Sequence, residues 1–438
     1  MKTLHAGAAQ VDITPELGHN LSEMRRPAMA QNKPEQPDYD FYGTIARPVL
    51  ENYLSRSITM NCFLSGVGCI EDNMRMIRAI GAKFVGRAVC QVAAEKCFPA
   101  ILIAASTLGA RVHALDPQIV LHAGIFEEVT NEVDFVPIPA HAFEAFAIKP
   151  ETRNYRYRDM LFPDGSYVDL WHAGASVPDI TRRETQMWFY HQACSYIDAG
   201  IEAIHFGQVQ LMGRDDPQLR TWFSLLERVR HYASRHARRD MVLCDAHVSS
   251  GIGCYGLEPI PADQPLGYHL DGRLLFDFHA LPLRIKEIPG KPYQAELAVG
   301  HLDAIYRRSM GGITPSGWAC DHLPYLVDVD YWGATGTGGE SVAGKIENLQ
   351  GIDSRFWVWG WDEICWFANQ PEEQRNEWLW YAWEWIRETD PNGFMEMPGQ
   401  QRMSDPRGYY HANTPSEDCP YGYGQEETLA AIWRSDRR

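Results

Sequence analysis

Short apolar runs alternate with longer helical segments from residue 57 onward, and this alternation limits the possible folds more than any other feature of the chain. Residues 58–64 have the apolar, β-branched composition of a strand. In the segment that follows, Ile70, Met74 and Ile77 recur on one face of a helix. Strands that alternate with helices pair in parallel, because the helix supplies the crossover connection. The pattern therefore predicts a parallel α/β fold.

The number of predicted strands is eight, which favours a (β/α)8 barrel, the TIM-barrel architecture. An open, doubly wound sheet is the alternative, but the first predicted strand is not followed by the GxGxxG turn of dinucleotide-binding folds. The predicted strands cover residues 58–64, 83–92, 118–126, 201–212, 241–248, 274–281, 323–332 and 394–397.

Local signals indicate where several helices begin. Thr181 and Glu184 have the spacing of a capping box, which predicts the start of a helix. Asp216 and Pro217 predict the start of the next helix, as its cap and its first-turn proline. A further helix is predicted over residues 293–310.

The domain organisation follows from the same pattern. We predict an irregular N-terminal extension over residues 1–56 and the barrel over residues 57–438. Two segments, about 131–180 and 249–273, are too long for ordinary connecting loops. They follow the third and fifth predicted strands, so a barrel places both at the C-terminal ends of its strands, where barrel enzymes have their active sites. We expect these insertions to cap and narrow the site.

The charge of the chain bears on its partners and its location. The net charge of −17 and the isoelectric point near 5.4 argue against nucleic acid or an anionic membrane as a partner, because both require a basic face. The chain has no apolar run long enough for a membrane span and no apolar signal region at its start, so we expect a cytoplasmic protein. Its ten cysteines include no CxxC pair, which favours free thiols. Assembly into a homo-oligomer stays open.

Polar and charged residues recur inside the predicted strands, where a barrel usually has branched apolar side chains. Any one of them can be explained as a buried ion pair or a supporting hydrogen bond. Their repetition near the C-terminal ends of successive strands instead predicts an active site there, because burial of a charge is costly without a functional reason. These residues are Arg87, His122, Gln208, Asp245, His247, Asp277, His279, Asp328, Asp330 and Glu396.

The carboxylates among them indicate the chemistry. Residues two apart on a strand are separated by roughly 6.5 Å along it. Glycoside hydrolysis uses two carboxyl groups about 5 to 9.5 Å apart, one as the acid and one as the nucleophile or base. We expect Asp330 to form such a pair with one of the other acidic residues. The pair Asp362-Glu363 is a further candidate, although acidic residues also favour a helix N-terminus. The candidate catalytic residues are Asp330, Glu396, Asp245, Asp328 and Glu363.

Tryptophan is concentrated in one part of the chain. Ten of the 14 tryptophans lie between Trp318 and Trp385. Such a cluster is typical of a hydrophobic core, and equally of a sugar-binding cleft in which indole rings stack on pyranose faces. The candidate substrate-binding residues, which include two of these tryptophans, are Arg87, His122, Gln208, His247, Asp277, His279, Trp332, Trp361 and Asp362.

Two short segments resemble known enzymes. Residues 326–333 (LVDVDYWG) and 359–363 (WGWDE) resemble segments of (β/α)8 glycoside hydrolases and their uncharacterised relatives. The resemblance covers most of residues 57–434 as architecture, and it implies a hydrolase of carbohydrate metabolism that acts on a small or oligomeric carbohydrate without a cofactor. The largest clan of these glycosidases has Asn-Glu at the end of strand four, where this chain has Gln208-Val209-Gln210, so that assignment is not transferred. Residues 5–15 (HAGAAQVDITP) are similar to the opening of neutral ceramidases.

A divalent-metal site is the main alternative. Asp245, His247, Asp277 and His279 form a plausible ligand set for Mn²⁺, Zn²⁺ or Mg²⁺, as in a metal-dependent sugar isomerase or hydrolase. The first predicted strand lacks the HxH pair of the amidohydrolases.

Two further alternatives remain. The glycine-rich residues 333–339 follow the seventh strand, where barrels often bind phosphate, but a flexible lid explains them as well. A non-catalytic carbohydrate-binding protein would explain the tryptophans but not the buried acidic residues.

Overall fold

Eight parallel strands close into a barrel in the computed structural model, which describes residues 37–248, 260–288, 291, 294–301, 304–330, 363–403 and 408–436. Each strand pairs with the next in chain order, and the first pairs with the eighth. The prediction of a (β/α)8 barrel is therefore confirmed. The strands are β1 (Ser57–Met60), β2 (Phe84–Cys90), β3 (Val120–Ile125), β4 (Ala203–Phe206), β5 (Leu243–His247), β6 (Phe278–Pro282), β7 (Tyr325–Asp328) and β8 (Gly393–Arg402), and β9 (Tyr409–His411) pairs antiparallel with the end of β8.

Helices connect most of the strands. The described residues include α1 (Arg47–Leu54), α2 (Ile70–Ile80), α3 (Phe98–Leu115), α4 (Ala140–Ala145), α5 (Arg183–Asp198), α6 (Val209–Met212), α7 (Arg220–His236), α8 (Glu363–Asn369), α9 (Glu372–Thr389) and α10 (Glu426–Ser435). Short 3-10 helices occupy Phe63–Ser65, Glu95–Cys97, Asn131–Phe135 and Tyr157–Met160.

Helix α1 covers the N-terminal end of the barrel. It lies within residues 1–56, which were predicted to be irregular. Pro48 lies in its first turn, where proline is tolerated. Its buried side chains pack with one apolar residue from each of β2 to β8, and this set of barrel residues is called the apolar layer below. The apolar layer consists of Phe84, Val120, Ala203, Leu243, Phe278, Leu326 and Phe394. Among the described residues, α1 and the apolar layer thus fill the N-terminal end of the barrel, so we look for the site at the C-terminal ends of the strands.

The connection between β6 and β7 differs from the prediction. The prediction of a helix over residues 293–310 is wrong, because the described part of this range consists of turns and a short strand. That strand, Ala295–Glu296, pairs with Lys286–Glu287. The apolar residues that suggested a helix pack individually instead. Tyr306, for example, is buried and donates a hydrogen bond from its hydroxyl to the Leu283 carbonyl. A four-stranded sheet formed by His269–Leu270, Arg273–Leu274, Gly312–Ile313 and Ala319–Cys320 lies in the same part of the chain.

Two helix starts also differ from the prediction. Helix α5 has no capping box, since the Thr181 hydroxyl donates to Asp179 rather than capping the helix. Helix α7 begins at Arg220, later than Pro217. The Asp216 carboxylate nevertheless accepts hydrogen bonds from the first backbone N–H groups of α7, so its capping role survives at a longer range.

The long insertion after β3 begins at the C-terminal end of that strand. Its strands Val129–Thr130 and Ala175–Ser176 pair antiparallel and enclose α4 and two 3-10 helices. The second expected insertion lies partly outside the described residues, because only its residues 260–273 are described. That both insertions narrow the site stays a prediction.

Helix α3 has an unusually apolar surface. By length and composition alone, Glu95–Leu115 could cross a membrane. In the fold, this segment connects β2 with β3, and Ala105, Gly109 and Val112 are buried on one side of α3.

Candidate active site

A polar layer lies directly above the apolar layer inside the barrel. Residues two apart on a strand point to the same face, so the residue two positions after each member of the apolar layer also faces the inside. On β5, β7 and β8 this residue is Asp245, Asp328 and Glu396, and the strand registers pair Asp328 with Glu396. On β3 and β4 it is His122 and His205.

Arg87 enters this layer through a distortion of β2. The pairing of β2 with β3 shifts between Val85 and Val89, and Arg87 has a φ of 49°, a strained conformation for a residue with a side chain. Its guanidinium is buried, with Nη1 3.0 Å from Asp328 Oδ2 and 3.1 Å from Asp330 Oδ1. The bulge thus directs one cation between two carboxylates.

Burial changes the protonation of two acidic residues in the polar layer. Loss of water raises the pKa of Asp328 well above its ordinary value, although Arg87 opposes the change. Burial also raises the pKa of Glu396, against the same guanidinium. With several carboxyl groups around one arginine, these two groups favour the form that keeps its proton.

Glu396 lies deep in the barrel and is held by its first two strands. The Ser57 hydroxyl donates to Glu396 Oε1 over 3.1 Å. A Cβ atom at Gly86 would stand 1.7 Å from the same oxygen, so the carboxyl group fills the space that this glycine leaves. Glu396 is therefore brought to the floor of the site, at the same level as Asp328, its register partner on β7.

Asp245 binds two imidazoles. Its Oδ1 lies 2.9 Å from His122 Nε2, and its Oδ2 lies 2.7 Å from His205 Nδ1. The backbone N–H of Arg87 donates to His122 Nδ1, which places the ring proton of His122 on Nε2, facing Asp245. Burial alone would raise the pKa of Asp245, but the imidazoles of His205 and His122 hold it below its ordinary value. Asp245 is thus an ionised support for two histidines.

Two neutral histidines offer acceptor atoms to the inside of the barrel. Burial lowers the pKa of His205 and lowers that of His247 well below the ordinary value. Their rings are nearly perpendicular, with centroids 5.1 Å apart. The Nε2 atoms of both are buried and have no hydrogen-bond partner among the described residues. Each is available to accept a hydrogen bond from a substrate hydroxyl or to bind a metal ion.

A second pair of charged residues lies toward the barrel mouth. The backbone N–H of Ile364 donates to the Asp330 carbonyl, which fixes the start of α8 at the end of β7. Glu363, the first residue of α8, is fully buried, with Oε1 3.3 Å from Arg284 Nη1. Arg284 follows β6 and, like Arg87, has a positive φ, of 59°. Asp330 and Glu363, which were both predicted as catalytic residues, therefore lie at the same end of the barrel, toward its mouth.

Asp277 and His279 do not belong to this site, and their prediction as site residues is wrong. Phe278 occupies the inward position on β6, so its two neighbours face outward. Asp277 accepts a hydrogen bond from the Cys244 backbone and lies 3.5 Å from Arg230 of α7, while His279 Nδ1 contacts the Ser309 hydroxyl. The predicted metal set that combined these two residues with Asp245 and His247 therefore does not converge.

Gln208 lies at the rim between β3 and β4. Its side-chain amide donates to Glu127 Oε1 and its backbone N–H donates to Glu127 Oε2. The residue follows β4 and is not part of it, because the strand ends at Phe206. At the same rim, burial raises the pKa of Glu128 to about 7, partly offset by His172.

Several candidates cannot be placed, and others were missed. Trp332, Trp361, Asp362 and the glycine-rich residues 333–339 lie outside the described residues. The sequence analysis missed His205, although its position two residues after Ala203 on an inward face was a readable signal. It also missed Ser57 and Arg284, for which the sequence offers no comparable signal.

The chain matches no protein-family model and no curated protein.

Proposed function

We propose that the protein is a glycoside hydrolase that acts on a small or oligomeric carbohydrate by carboxylate acid–base catalysis. The observation that carries the proposal is the pair Asp328 and Asp330, which share one nitrogen of Arg87 at the C-terminal end of β7. Asp328 Oδ2 and Asp330 Oδ1 are therefore separated by no more than the sum of their distances to Arg87 Nη1. This limit is shorter than the roughly 6.5–9.5 Å between the carboxyl groups of inverting glycosidases, so the pair favours the retaining arrangement, with about 5–5.5 Å.

The two carboxyl groups have different surroundings, which suits different roles. Asp330 is nearer the mouth and in contact with Arg87, so we assign it as the nucleophile or base. Asp328 is the proton donor, because burial raises its pKa and the neighbouring carboxylates of Asp330, Glu396 and Glu363 raise it further. Glycoside hydrolysis requires one carboxyl group that donates a proton and a second that acts as the nucleophile or base.

The remaining groups of the polar layer bind and position. The Nε2 atoms of His205 and His247 accept hydrogen bonds from sugar hydroxyls, and Asp245 holds His205 in the tautomer that leaves its Nε2 atom unprotonated. Glu396, at the floor, is a positioning residue that acts through Arg87 and Asp328.

The test is turnover of a panel of aryl glycosides and short oligosaccharides, with and without a chelator. The proposal expects turnover of at least one glycoside that survives removal of metal ions. Tight binding of a sugar with no turnover would instead indicate a non-catalytic carbohydrate-binding protein and overturn the proposal.

A metal-dependent sugar isomerase or hydrolase is the second candidate. The observation in its favour is the pair of buried Nε2 atoms on His205 and His247, with Asp245 behind His205 as the carboxylate support that metal-binding histidines commonly have. His122, His205 and Asp245 also place their ligand atoms within 4.8 Å of one another. His122 fits this role less well, because its Nε2 atom carries the proton that it donates to Asp245. Activity lost with a chelator and restored by a divalent ion would select this candidate.

A further inference from the structure

We propose that Cys69, His411 and Cys419 form a zinc site at the seam where the barrel closes, separate from the polar layer. The two sulfur atoms and one ring nitrogen of His411 all lie within 4.8 Å of one another. Ligand atoms of a tetrahedral zinc ion are separated by roughly 3.5 Å, given Zn–S bonds of about 2.3 Å and Zn–N bonds of about 2.0 Å. Only a small contraction would bring these three atoms to that spacing.

The three ligands come from three different segments. Cys69 precedes the first residue of α2, and its carbonyl accepts a hydrogen bond from the Asn73 backbone. His411 is the last residue of β9 and pairs with Gln400 of β8. Cys419 lies in a turn that is fixed by a hydrogen bond from its backbone N–H to the Ser416 hydroxyl. Backbone hydrogen bonds or strand pairing therefore position each ligand.

An independent observation concerns His411. Its side chain is buried, and its Nδ1 atom has no hydrogen-bond partner among the described residues. A buried polar atom without a partner is costly, and a bound ion is one explanation for it. Gly68 makes the approach of this ring possible, because a Cβ atom there would lie 2.9 Å from His411 Cε1.

The chemistry of the donor set selects the ion. Two thiolates and one imidazole are soft and borderline ligands, which favour Zn²⁺ over Mg²⁺, Ca²⁺ or Mn²⁺. Two thiolates also neutralise a divalent ion, so the complex has no net charge to bury. Cys419 is fully buried and Cys69 is half-buried, which leaves a side from which the ion enters. Among the described residues this cluster offers three ligand atoms, so solvent would complete the fourth position.

The position of the site suggests a structural role. Strands β1 and β8 close the barrel, and their register shifts between Thr59 and Met60. The zinc ion would connect the segment after β1 with the segments after β8, and so would join the first and last units of the barrel across this junction. A ligand that binds only the folded state raises its stability in proportion to the logarithm of its concentration above Kd.

The experiment begins with reduced, chelator-treated protein. We expect it to take up one equivalent of Zn²⁺ with a rise in Tm, and to show sulfur-to-cobalt charge-transfer absorption when Co²⁺ replaces Zn²⁺. Cys69→Ser and Cys419→Ser should abolish this absorption, while the control Cys97→Ser, at an exposed cysteine, should retain it. Asp245→Asn should retain it as well, which separates this site from any metal ion in the polar layer.

A second measurement needs only the wild-type protein, in case the serine variants fail to fold. Zn²⁺ should protect the half-buried Cys69 from alkylation, as read by peptide mass spectrometry, and should leave the exposed Cys97 reactive. Equal labelling with and without zinc would overturn the proposal. So would a reduced protein that binds no zinc although Cys69 and Cys419 readily form a disulfide on oxidation.

Discussion

The two ends of the barrel interior are formed by the same strands but have opposite chemistry. Toward the N-terminal ends, the apolar layer packs against α1. Two residues farther along the same strands, the polar layer holds Asp245, Asp328 and Glu396 together with two imidazoles. The spacing of two residues keeps both layers on the inward face. One face of a sheet can therefore supply a stable core and a reactive site without any change of strand.

The difference in chemistry implies a difference in energetic role. Complete burial of an aliphatic or aromatic side chain stabilises the fold by about 1.5–3 kcal/mol. Burial of charged groups stabilises little, since the loss of water offsets their attraction, but removal of one partner is costly. We therefore expect substitutions in the apolar layer to change stability alone, and substitutions at the upper edge of the polar layer to change activity.

The largest expected effect is that of Asp330→Asn on catalysis. The change keeps the shape of the side chain and removes its charge, so glycoside turnover should fall by about 10²–10⁴-fold. Asp277→Asn is the matched control, because Asp277 is equally buried but faces away from the barrel interior. Steady-state kinetics and urea unfolding of both variants separate the effects. Near-normal turnover in Asp330→Asn would contradict the catalytic assignment.

The next effect tests whether Arg87 is an essential partner of the buried carboxylates. Arg87→Met leaves Asp328 and Asp330 without their cation, and the free energy of unfolding should fall by about 3–5 kcal/mol. Arg111→Met removes the partner of Glu71 in an exposed ion pair and should cost less than about 1 kcal/mol. Urea unfolding measures both. Equal costs would mean that the polar layer is as well solvated as the surface.

The apolar end can be tested at α1. Leu50 is fully buried against the apolar layer, so Leu50→Ala should lower the free energy of unfolding by about 2–5 kcal/mol while leaving kcat unchanged. Ile103→Ala, at a residue that is 71% exposed, should cost less than about 0.5 kcal/mol. A large loss of kcat in folded Leu50→Ala protein would show that the two ends are not independent.

The smallest expected effect concerns pH. The folded state holds a proton on Glu396 that the unfolded chain releases, so the free energy of unfolding should fall as pH rises above the ordinary glutamate value of 4.5. Glu396→Gln should make this decline shallower, by up to about 1.4 kcal/mol for each pH unit of the affected range. Asp328 and Glu128, whose pKa values burial also raises, should retain the rest of it. Urea unfolding of the wild type and the variant from about pH 4 to about pH 8 measures this difference in slope. Glu71→Gln, at an exposed position, should leave the decline in place, and parallel curves for all three proteins would refute the assignment.

Local periodicity in the sequence determined the architecture. Eight apolar runs separated by helical segments predicted the barrel, and each of the eight strands overlaps its predicted range. The same runs predicted that Asp245, Asp277, Asp328 and Glu396 converge on one cleft. Of these four, Asp245, Asp328 and Glu396 each lie two residues after a member of the apolar layer and so face inward. Which side chains of a strand or helix are buried depends on the order of apolar and polar residues within that segment. The sequence of the segment therefore predicts its buried face.

The tertiary structure alone decided which polar groups meet. Whether Asp277 or Phe278 faces inward depends on where β6 begins, and a shift of one residue exchanges the two faces. The bulge that directs Arg87 inward exists only in the pairing of β2 with β3. Cys69 is hundreds of residues away from His411 and Cys419 in the sequence, so no short motif joins the three ligands. Such groups converge only through closure of the barrel, a long-range event that leaves no periodicity in the sequence.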